Sequence, residues 1–246
     1  MGWWRGRPGN RARGGPVIAS PNIWNWPDVY EIENHAQDAH DAVWRVIEGV
    51  APWSGSDVVD VGCGAGFHLP KFAHEARSVI GVEPHEPLAE RARARVTSLD
   101  NVMVMKGSAG HLPLEAASAD IVHARTAYFF GPGCEPGIRE SLRVLRPGGT
   151  LVIVDLDATA HPYGAWMRAD LPKYRPDVVE EFFRKQGFAL QRADTEWVFE
   201  RREDLDAVLG IEFSPRIAAR ARGETSGLSI TVRYRIHSLR REIAAL

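Results

Sequence analysis

VVDVGCGAGF, residues 58–67, is the stretch that decides the fold. An apolar run typical of a buried strand leads into three glycines at alternate positions, Gly62, Gly64 and Gly66, and a helical pattern follows. Glycines let the chain turn sharply and let a ligand lie directly on the main chain, near the free N–H groups of a helix N-terminus. We therefore predict a strand–loop–helix unit that binds a ligand on its loop.

An acidic residue at the end of the next predicted strand adds a second signal. Glu83 follows Gly62 by 21 residues and ends the apolar run 78–83. An acid at the tip of the second strand can accept hydrogen bonds from both hydroxyls of a ribose. The glycine loop and Glu83 together predict a cofactor that contains a nucleoside.

The spacing of the loop disfavours a dinucleotide. The dinucleotide fingerprint is GxGxxG, and the place of its third glycine is taken here by Phe67. Asp60 stands two residues before the first glycine, where a carboxylate would repel a pyrophosphate but would suit a ligand that carries an amino group. Both departures disfavour a nicotinamide oxidoreductase.

The composition is that of a globular protein and excludes several classes. Of 246 residues, 44% are hydrophobic and 25% are charged, which excludes a disordered, collagen-like or coiled-coil chain. The net charge of −2 disfavours nucleic acid as a partner, since phosphate-binding proteins usually carry a basic excess. The two cysteines, Cys63 and Cys134, form neither a disulfide framework nor a zinc motif. With no apolar run of about 20 residues, a soluble, cytoplasmic protein without membrane contact is expected.

Alternation of short apolar runs with helical stretches gives the fold class. It predicts βαβ units, with a parallel sheet and helices on both faces. In residues 229–237 apolar and polar side chains alternate, as is typical of a half-exposed antiparallel strand at a sheet edge. We therefore predict an α/β fold with a Rossmann-like, doubly wound seven-stranded sheet, mostly parallel with an antiparallel last strand. The predicted strands are Asp57–Val61, Ser78–Glu83, Val102–Lys106, Asp120–Ala124, Thr150–Asp155, Phe188–Phe199 and Ser229–His237, and the predicted helices are 67–76, 85–98, 136–145 and Asp177–Gln186, with a loop at 156–175 and a short helix before the last strand.

The chain is predicted to form a flexible basic arm and one domain. Residues 1–20 contain four Arg, five Gly and no acidic residue, so they lack a pattern on which to fold. Residues 21–246 form the domain, and its parts are a cap helix at 34–50, a cofactor-binding core at 57–155 and a substrate-side and C-terminal hairpin region at 156–246. The cap helix is predicted from apolar spacing and from a capping box at Asn34 and Gln37.

Four motifs, in this order and spacing, resemble those of class I S-adenosylmethionine-dependent methyltransferases of the methyltransferase-11 type. They are DVVDVGCGAGFHLPKFA, VIGVEPHEPLAERAR, GSAGHLPLEAASADIVHA and LRVLRPGGTLVIVD, and they cover about residues 57–155. Two further stretches, PNIWNWPDVYEIENHAQD and ARTAYFFGPGCEPG, resemble uncharacterised actinobacterial members. The resemblance implies S-adenosylmethionine as the cofactor and S-adenosylhomocysteine as the product.

The resemblance also implies a cofactor contact for each matching residue. Many members have Asp where this chain has Ser108, so the amide of Ala109 is expected to carry more of the contact with the adenine edge. The implied contacts are Asp60, Gly62, Gly64 and Gly66 for the amino-acid end, Glu83 for the ribose, Pro84 and His85 beside the adenine, Ser108 and Ala109 at its edge, and Ala124 and Arg125 beside the methionine portion.

The acceptor side carries fewer signals. Methyl transfer from a sulfonium is an in-line displacement, so positioning can supply much of the catalysis, and a base helps when the acceptor is a hydroxyl. His161 lies in the loop after the fifth strand, at the carboxyl edge where ligands bind, and is the predicted base. Tyr30, Tyr128 and Trp166 are the predicted aromatic contacts to the acceptor, because small-molecule sites are usually apolar.

Arg125 is predicted to bind an anionic group of the acceptor, because a second cation beside a sulfonium needs an anion between them. The alternative is pairing with a protein acid such as Glu31 or Asp157. The acids of Asp155-Leu156-Asp157 are too few to predict a metal, so none is expected.

The sequence thus predicts methyl transfer from S-adenosylmethionine to a small organic molecule at an O, N or C atom. An RNA or tRNA methyltransferase is one alternative, which the body of the chain disfavours with 26 cations against 32 acids, a net charge of −6 outside the arm. A non-catalytic module that binds S-adenosylmethionine is the other, and it predicts a closed acceptor side.

Overall fold

The computed structural model describes residues 17, 19–128 and 131–243. Most of the predicted basic arm, and the pair Phe129 and Phe130, therefore lie outside the described residues. The strands of the described part are β1 (Asp57–Val61), β2 (Ser78–Glu83), β3 (Val102–Lys106), β4 (Ala119–Arg125), β5 (Leu145–Leu156), β6 (Ala189–Val198) and β7 (Ser229–Arg240).

These strands form a seven-stranded sheet in the order β3-β2-β1-β4-β5-β7-β6. Strands β1 to β5 pair in parallel, and β7 lies antiparallel between β5 and β6. The predicted fold class, a mostly parallel seven-stranded sheet with an antiparallel last strand, is confirmed. The predicted C-terminal hairpin is wrong, because two helices join β6 to β7.

Helices cover both faces of the sheet, and most of them begin with a proline in the first turn, where its missing N–H costs nothing. The loop predicted at 156–175 contains a helix, and two helices rather than one precede β7. Within the described residues, no helix has the length and apolar content needed to cross a membrane. The helices are α1 (Pro21–Asn25), α2 (Pro27–Ala36), α3 (Ala42–Val50), α4 (Leu69–Ala73), α5 (Glu86–Arg95), α6 (Glu135–Val144), α7 (Tyr163–Asp170), α8 (Pro176–Lys185), α9 (Arg202–Glu212) and α10 (Pro215–Glu224).

The predicted cap helix at 34–50 is wrong, because the chain breaks between α2 and α3. Asp38 and Asp41 have φ of 51° and 54°, the left-handed region that ends a helix. The Asp38 carboxylate accepts the backbone N–H of Val43 at 3.0 Å and of Trp44 at 3.3 Å. Asp38 therefore caps α3, and the capping box predicted further upstream does not form.

The strand predicted at the sheet edge lies inside the sheet. Strand β6 covers the outer edge of β7. Thr231 is exposed and Arg233 is half-exposed, as the alternation predicts, but the next two polar residues of the alternation are not. Arg235 and His237 are buried, and the ring of His237 stacks on Phe183 of α8 at 4.3 Å. Period-two alternation predicted the antiparallel strand and the exposed polar face of its first half, whereas the edge position and the exposure of Arg235 and His237 were predicted wrongly.

The order of the strands creates a crevice beside β1. From β1 the chain continues to β2 on one side, whereas β4 lies on the other, so the loops after β1 and β4 diverge at the carboxyl edge of the sheet. Open α/β sheets bind ligands at such a switch point. Asp60 of β1 and His123 of β4 are partners in register at this position.

Candidate functional site

The glycine loop, residues 62–66, adopts a conformation that favours glycine. Gly62, Gly64 and Gly66 have φ of 73°, 55° and 77°, all in the left-handed region. The N–H of Gly62 donates to the carbonyl of Val82 at 2.8 Å, which fixes the loop against β2. The predicted strand–loop–helix unit is confirmed, with the loop between β1 and α4.

Glu83 lies directly beside this loop. Its carboxylate accepts the N–H of Gly64 at 2.9 Å and the N–H of His85 at 2.9 Å. The side chain is 4% exposed, and burial raises the pKa of the Glu83 carboxyl against the opposing effect of the two N–H donors. A buried acceptor with an unscreened charge thus stands at the tip of β2, next to three positive-φ glycines.

A buried carboxylate–imidazole pair lies beneath the loop. The Asp60 carboxylate lies 2.7 Å from Nδ1 of His123, and the two side chains are 3% and 0% exposed. His123 also contacts Trp44 and Phe72 across ring centroids of 6.2 and 5.1 Å. Burial lowers the pKa of the neighbouring His68 well below its usual range, with the charge of Arg125 as the next cause.

A second buried polar cluster, the carboxyl cluster of Asn22, Glu33, Tyr163 and Glu212, lies at the same edge of the sheet. Both glutamates are buried, and the Glu33 carboxyl hydrogen-bonds that of Glu212. Asn22 Nδ2 and the Tyr163 hydroxyl each donate to Glu212. Burial raises the pKa of both carboxyls, so the pair keeps a proton to a higher pH than a solvated glutamate does.

The carboxyl cluster was missed by sequence reasoning, because its members come from four helices that are far apart in the chain. One signal existed. Leu205, Val208, Leu209 and Glu212 follow the i, i+3, i+4, i+7 spacing of a buried helix face, which places a carboxyl among core positions.

Helix α1 lies across the glycine loop. Ile23 Cδ1 is 2.8 Å from the position that a Cβ on Gly64 would occupy. The ring of Trp24 stacks on His85, with centroids 4.2 Å apart and planes inclined by 11°. These two side chains cover the loop and the residue that follows the tip of β2.

Two cavities differ in size and in their position relative to the carboxyl edge of the sheet. A narrow one of about 20 Å³ adjoins the carboxyl cluster, and its lining includes Thr126, Glu212 and Phe213. That volume holds about one water molecule. A groove of about 690 Å³ lies between α6 and the first residues of β1 and β2, away from the glycine loop. The glycine loop and Glu83 locate the functional site more specifically than cavity volume does.

Comparison with known proteins identifies this arrangement. The methyltransferase domain family matches residues 59–153, the segment from β1 to β5 that contains the glycine loop and Glu83. This segment is a class I methyltransferase domain. S-Adenosylmethionine is the cofactor that the domain implies.

Relatives of the methyltransferase domain carry related names. Methyltransferase GfsG of Streptomyces halstedii is 33% identical over 135 residues, 53% of this chain and 49% of that protein. Demethylmenaquinone methyltransferase of Staphylococcus aureus is 27% identical over 198 residues, 76% of this chain and 79% of that protein. The match to GfsG spans about half of its length.

Solved structures share the fold at lower identity. A SAM-dependent methyltransferase from Thermotoga maritima is 22% identical and superposes with a TM-score of 0.58, covering 88% of this chain and 96% of that one. A protein from Bacillus subtilis is 18% identical with a TM-score of 0.57, covering 83% of this chain and 100% of that one. These likenesses extend the shared fold beyond the matched domain.

The residues of the glycine loop fit the cofactor of the methyltransferase domain. A side chain at Gly64 would project from the face of the loop into the space that Ile23 occupies. Glu83 offers a charged acceptor beside it, as a ribose requires. Asp60, predicted to hold the amino-acid end, is 2% exposed and uses one oxygen for His123, so its role toward the cofactor stays a prediction.

The residues predicted around the adenine lie near one another at the ends of β2 and β3. Pro84 and His85 follow Glu83, and the ring of His85 is covered by Trp24. Ser108 and Ala109 follow β3, where the main chain of Ser108 pairs with that of His111. Their contacts with adenine stay predictions.

Arg125, at the end of β4, is 8% exposed and contacts protein groups other than those predicted. Its Nη2 donates to Gln37 Oε1 at 2.8 Å, and its guanidinium lies 4.8 Å from the centre of the Tyr234 ring. Neither Glu31 nor Asp157 is its partner, because they pair with Arg95 at 2.6 Å and Arg192 at 2.8 Å. The two acids named as examples of a protein partner are therefore wrong, and the acid on which the charge of Arg125 acts is Glu33. The preceding residue, Ala124, is fully buried.

Of the three predicted aromatic contacts to the acceptor, Tyr30 lies near the carboxyl cluster, and its role toward an acceptor stays a prediction. The Tyr30 hydroxyl bonds Thr126, and burial raises the pKa of Tyr30. Tyr128 instead packs in the core with its hydroxyl 3.4 Å from Ser141, and burial raises its pKa. Trp166 is 1% exposed and donates to Glu224 at 2.7 Å. Both side chains are buried in the core, Tyr128 after the end of β4 and Trp166 in α7.

His161 and the acids after β5 lie outside the carboxyl cluster. His161 is exposed in the loop before α7, and its charge contributes to lowering the pKa of Glu224. Its role as a base stays a prediction. Asp157 binds Thr159 at 2.6 Å and Arg192, whereas Asp155 is buried facing Arg235. Across the described ranges, no group of three metal-binding side chains is brought together.

Proposed function

We propose that this protein transfers a methyl group from S-adenosylmethionine to a small organic acceptor at an O, N or C atom. One observation carries the proposal. The glycine loop with Glu83 and the carboxyl cluster with its adjoining cavity lie at the same edge of the sheet, linked through Asn22 of α1.

The cofactor supplies an electrophilic methyl group on a sulfonium when it is bound. On the protein side, the glycine loop gives close backbone approach, and Glu83 gives a charged acceptor for a ribose. Asp60 adds a negative charge beneath the loop, of the sign that suits an amino group and a sulfonium. The preorganised positions of these groups fix the orientation in which an acceptor must approach.

The cavity beside the carboxyl cluster suggests the chemistry of the acceptor. The walls of this cavity are mainly apolar. Glu212, a member of the carboxyl cluster, is one of the polar groups in its lining. An apolar body with one hydroxyl or amino group would satisfy this lining. Because burial raises the pKa of Glu212, that carboxylate is a stronger base than a solvated glutamate, which makes it a second candidate base besides His161.

The relatives support a small acceptor. The name of the Staphylococcus aureus relative specifies demethylmenaquinone, an organic molecule, and that of a Halobacterium salinarum relative specifies arsenite. The excess of acidic residues outside the arm disfavours an RNA or tRNA acceptor.

The cavity beside the carboxyl cluster has a volume of about 20 Å³, which is too small for an organic acceptor. This observation favours a second candidate function, a non-catalytic module that binds the cofactor. The two functions differ in turnover. The full chain, incubated with S-adenosylmethionine and pools of phenols, amines, quinols or total tRNA, is assayed for release of S-adenosylhomocysteine.

We expect release with a small-molecule pool and loss of that release in Glu83→Ala. Release with tRNA alone would contradict the proposal. Binding of S-adenosylhomocysteine without turnover in any pool would favour the non-catalytic module.

A further inference from the structure

Helix α1 contacts the part of the glycine loop that a ligand must reach. Gly64 is the central glycine of the loop, and its φ of 55° turns the face of the main chain toward α1. Ile23 Cδ1 packs against that face, in the space that a side chain at Gly64 would occupy. A ligand and the Ile23 side chain cannot both contact this face.

The same helix covers the tip of β2. Trp24 stacks on His85, whose N–H donates to Glu83. Glu83 is only 4% exposed, and both of its carboxylate oxygens accept backbone N–H groups. Trp24 thus lies over the residue whose N–H binds Glu83, at the tip of β2 where a ribose would have to enter.

Helix α1 is short, and one of its side-chain contacts belongs to the carboxyl cluster. Asn22 is 3% exposed and donates its side-chain amide to Glu212. The helix has five residues and joins α2 through Trp26, whose ring is exposed. Short elements with few buried contacts open at low free-energy cost compared with core strands.

The geometry points to α1 as an occluding strap: Ile23 and Trp24 occupy the cofactor's place on the glycine loop, and Asn22 latches the strap to Glu212. The inference rests on the proposed function, since it concerns the same cofactor. The strap opens before the cofactor enters, so the closed form is inactive. Because the latch residue Glu212 also lines the cavity of the acceptor side, the strap links the two halves of the site.

An occluding strap has a defined effect on affinity. The apparent dissociation constant equals the intrinsic one divided by the fraction of molecules that are open. Loss of a strap contact raises that fraction, so it raises both the affinity and the association rate for a ligand of the glycine loop. A residue that touched the bound cofactor would show the opposite change in affinity.

The test compares Trp24→Ala with Trp26→Ala in the full chain. Trp26 is the matched control, because it has the same side chain two residues further on and is 57% exposed. Surface plasmon resonance gives the association rate of S-adenosylhomocysteine, and calorimetry gives its affinity. We expect both to rise at least about threefold in Trp24→Ala, as the loss of one ring stack allows, and to stay unchanged in Trp26→Ala.

Asn22→Ala removes the latch and is expected to change both quantities in the same direction. Unchanged or weaker binding in Trp24→Ala would overturn the strap. A ligand-free measurement separates this result from failure of the proposed function. Hydrogen exchange of the peptide that spans residues 62–66 rises in Trp24→Ala but not in Trp26→Ala if the strap exists, whether or not the protein binds the cofactor. Equal exchange in both variants would contradict the strap.

Discussion

The Asp60 carboxylate is fixed 2.7 Å from Nδ1 of His123, inside the sheet and directly under the glycine loop. The pair joins β1 to β4, the two strands whose diverging loops form the crevice. Removing the His123 ring would leave the buried Asp60 carboxylate without this hydrogen-bond partner and would open a cavity, which together typically cost about 3 kcal/mol.

We expect His123→Ala to lower the free energy of unfolding by about 3 kcal/mol, as measured by urea denaturation. His35→Ala is the control, because that histidine side chain is 70% exposed and should change stability by less than about 0.5 kcal/mol. A His123 variant as stable as its His35 counterpart would show that the pair does not hold the two strands together.

Gly66 tests whether the loop requires glycine. A Cβ there would lie 3.0 Å from Cβ and 3.1 Å from Cα of Ala92, at a φ of 77°. Gly66→Ala should therefore destabilise the fold by about 1–3 kcal/mol. Gly49→Ala, in α3, where a Cβ would meet no atom within 4 Å, should instead stabilise it by about 0.5 kcal/mol. Equal shifts of the melting temperature in the two variants would refute the argument.

The Glu33–Glu212 pair should make stability depend on pH. An unfolded glutamate ionises near pH 4.5, whereas burial keeps a proton on the folded pair, so the folded state binds more protons above that pH. Stability should then fall as the pH rises from about 4.5 through the raised pKa, with a slope of up to about 1.4 kcal/mol per pH unit.

Glu33→Gln removes the need for that shared proton, so the fall in stability between pH 5 and pH 8 should become smaller than in the unaltered protein. Chemical denaturation at a series of pH values measures this difference. Glu90→Gln, on the exposed face of α5, is the control and should keep the original slope. A Glu33 variant that kept the original slope would contradict the shared proton.

Arg125 separates a structural role from recognition of the acceptor. Because its guanidinium binds Gln37 and lies over Tyr234, we expect Arg125→Met to lower stability by about 1.5–3 kcal/mol. Arg91→Met, on the surface of α5, should leave stability nearly unchanged. An increase in the acceptor KM without loss of stability would instead support the predicted binding of an anionic group.

Local signals in the sequence were sufficient for the core of the fold. The glycines at 62, 64 and 66 require positive φ, and continuous apolar runs mark strands buried on both faces, so β1 to β5 and the cofactor loop could be predicted. These features depend on neighbouring residues, which a sequence displays directly.

Features that depend on tertiary contacts could not be predicted in this way. The break at Asp38 is stabilised by its bond to Thr195 of β6, 157 residues further along the chain, as well as by capping of α3. The carboxyl cluster likewise joins Glu33 to Glu212 across most of the chain. Periodic spacing marks Glu212 as a core position of α9, but it does not reveal which distant polar groups pair with it.

The central claim is that Glu83 and the glycine loop bind the cofactor, and calorimetry with S-adenosylhomocysteine tests it most directly. Glu83→Ala removes a charged acceptor worth about 1.5–3 kcal/mol, and Glu83→Gln keeps an acceptor oxygen but removes the charge. Glu86→Ala is the control, since that carboxylate lies on the surface and pairs with Arg93 and Lys106. The account predicts an affinity at least tenfold weaker in folded Glu83→Ala and unchanged in Glu86→Ala; unchanged affinity in folded Glu83→Ala would contradict it.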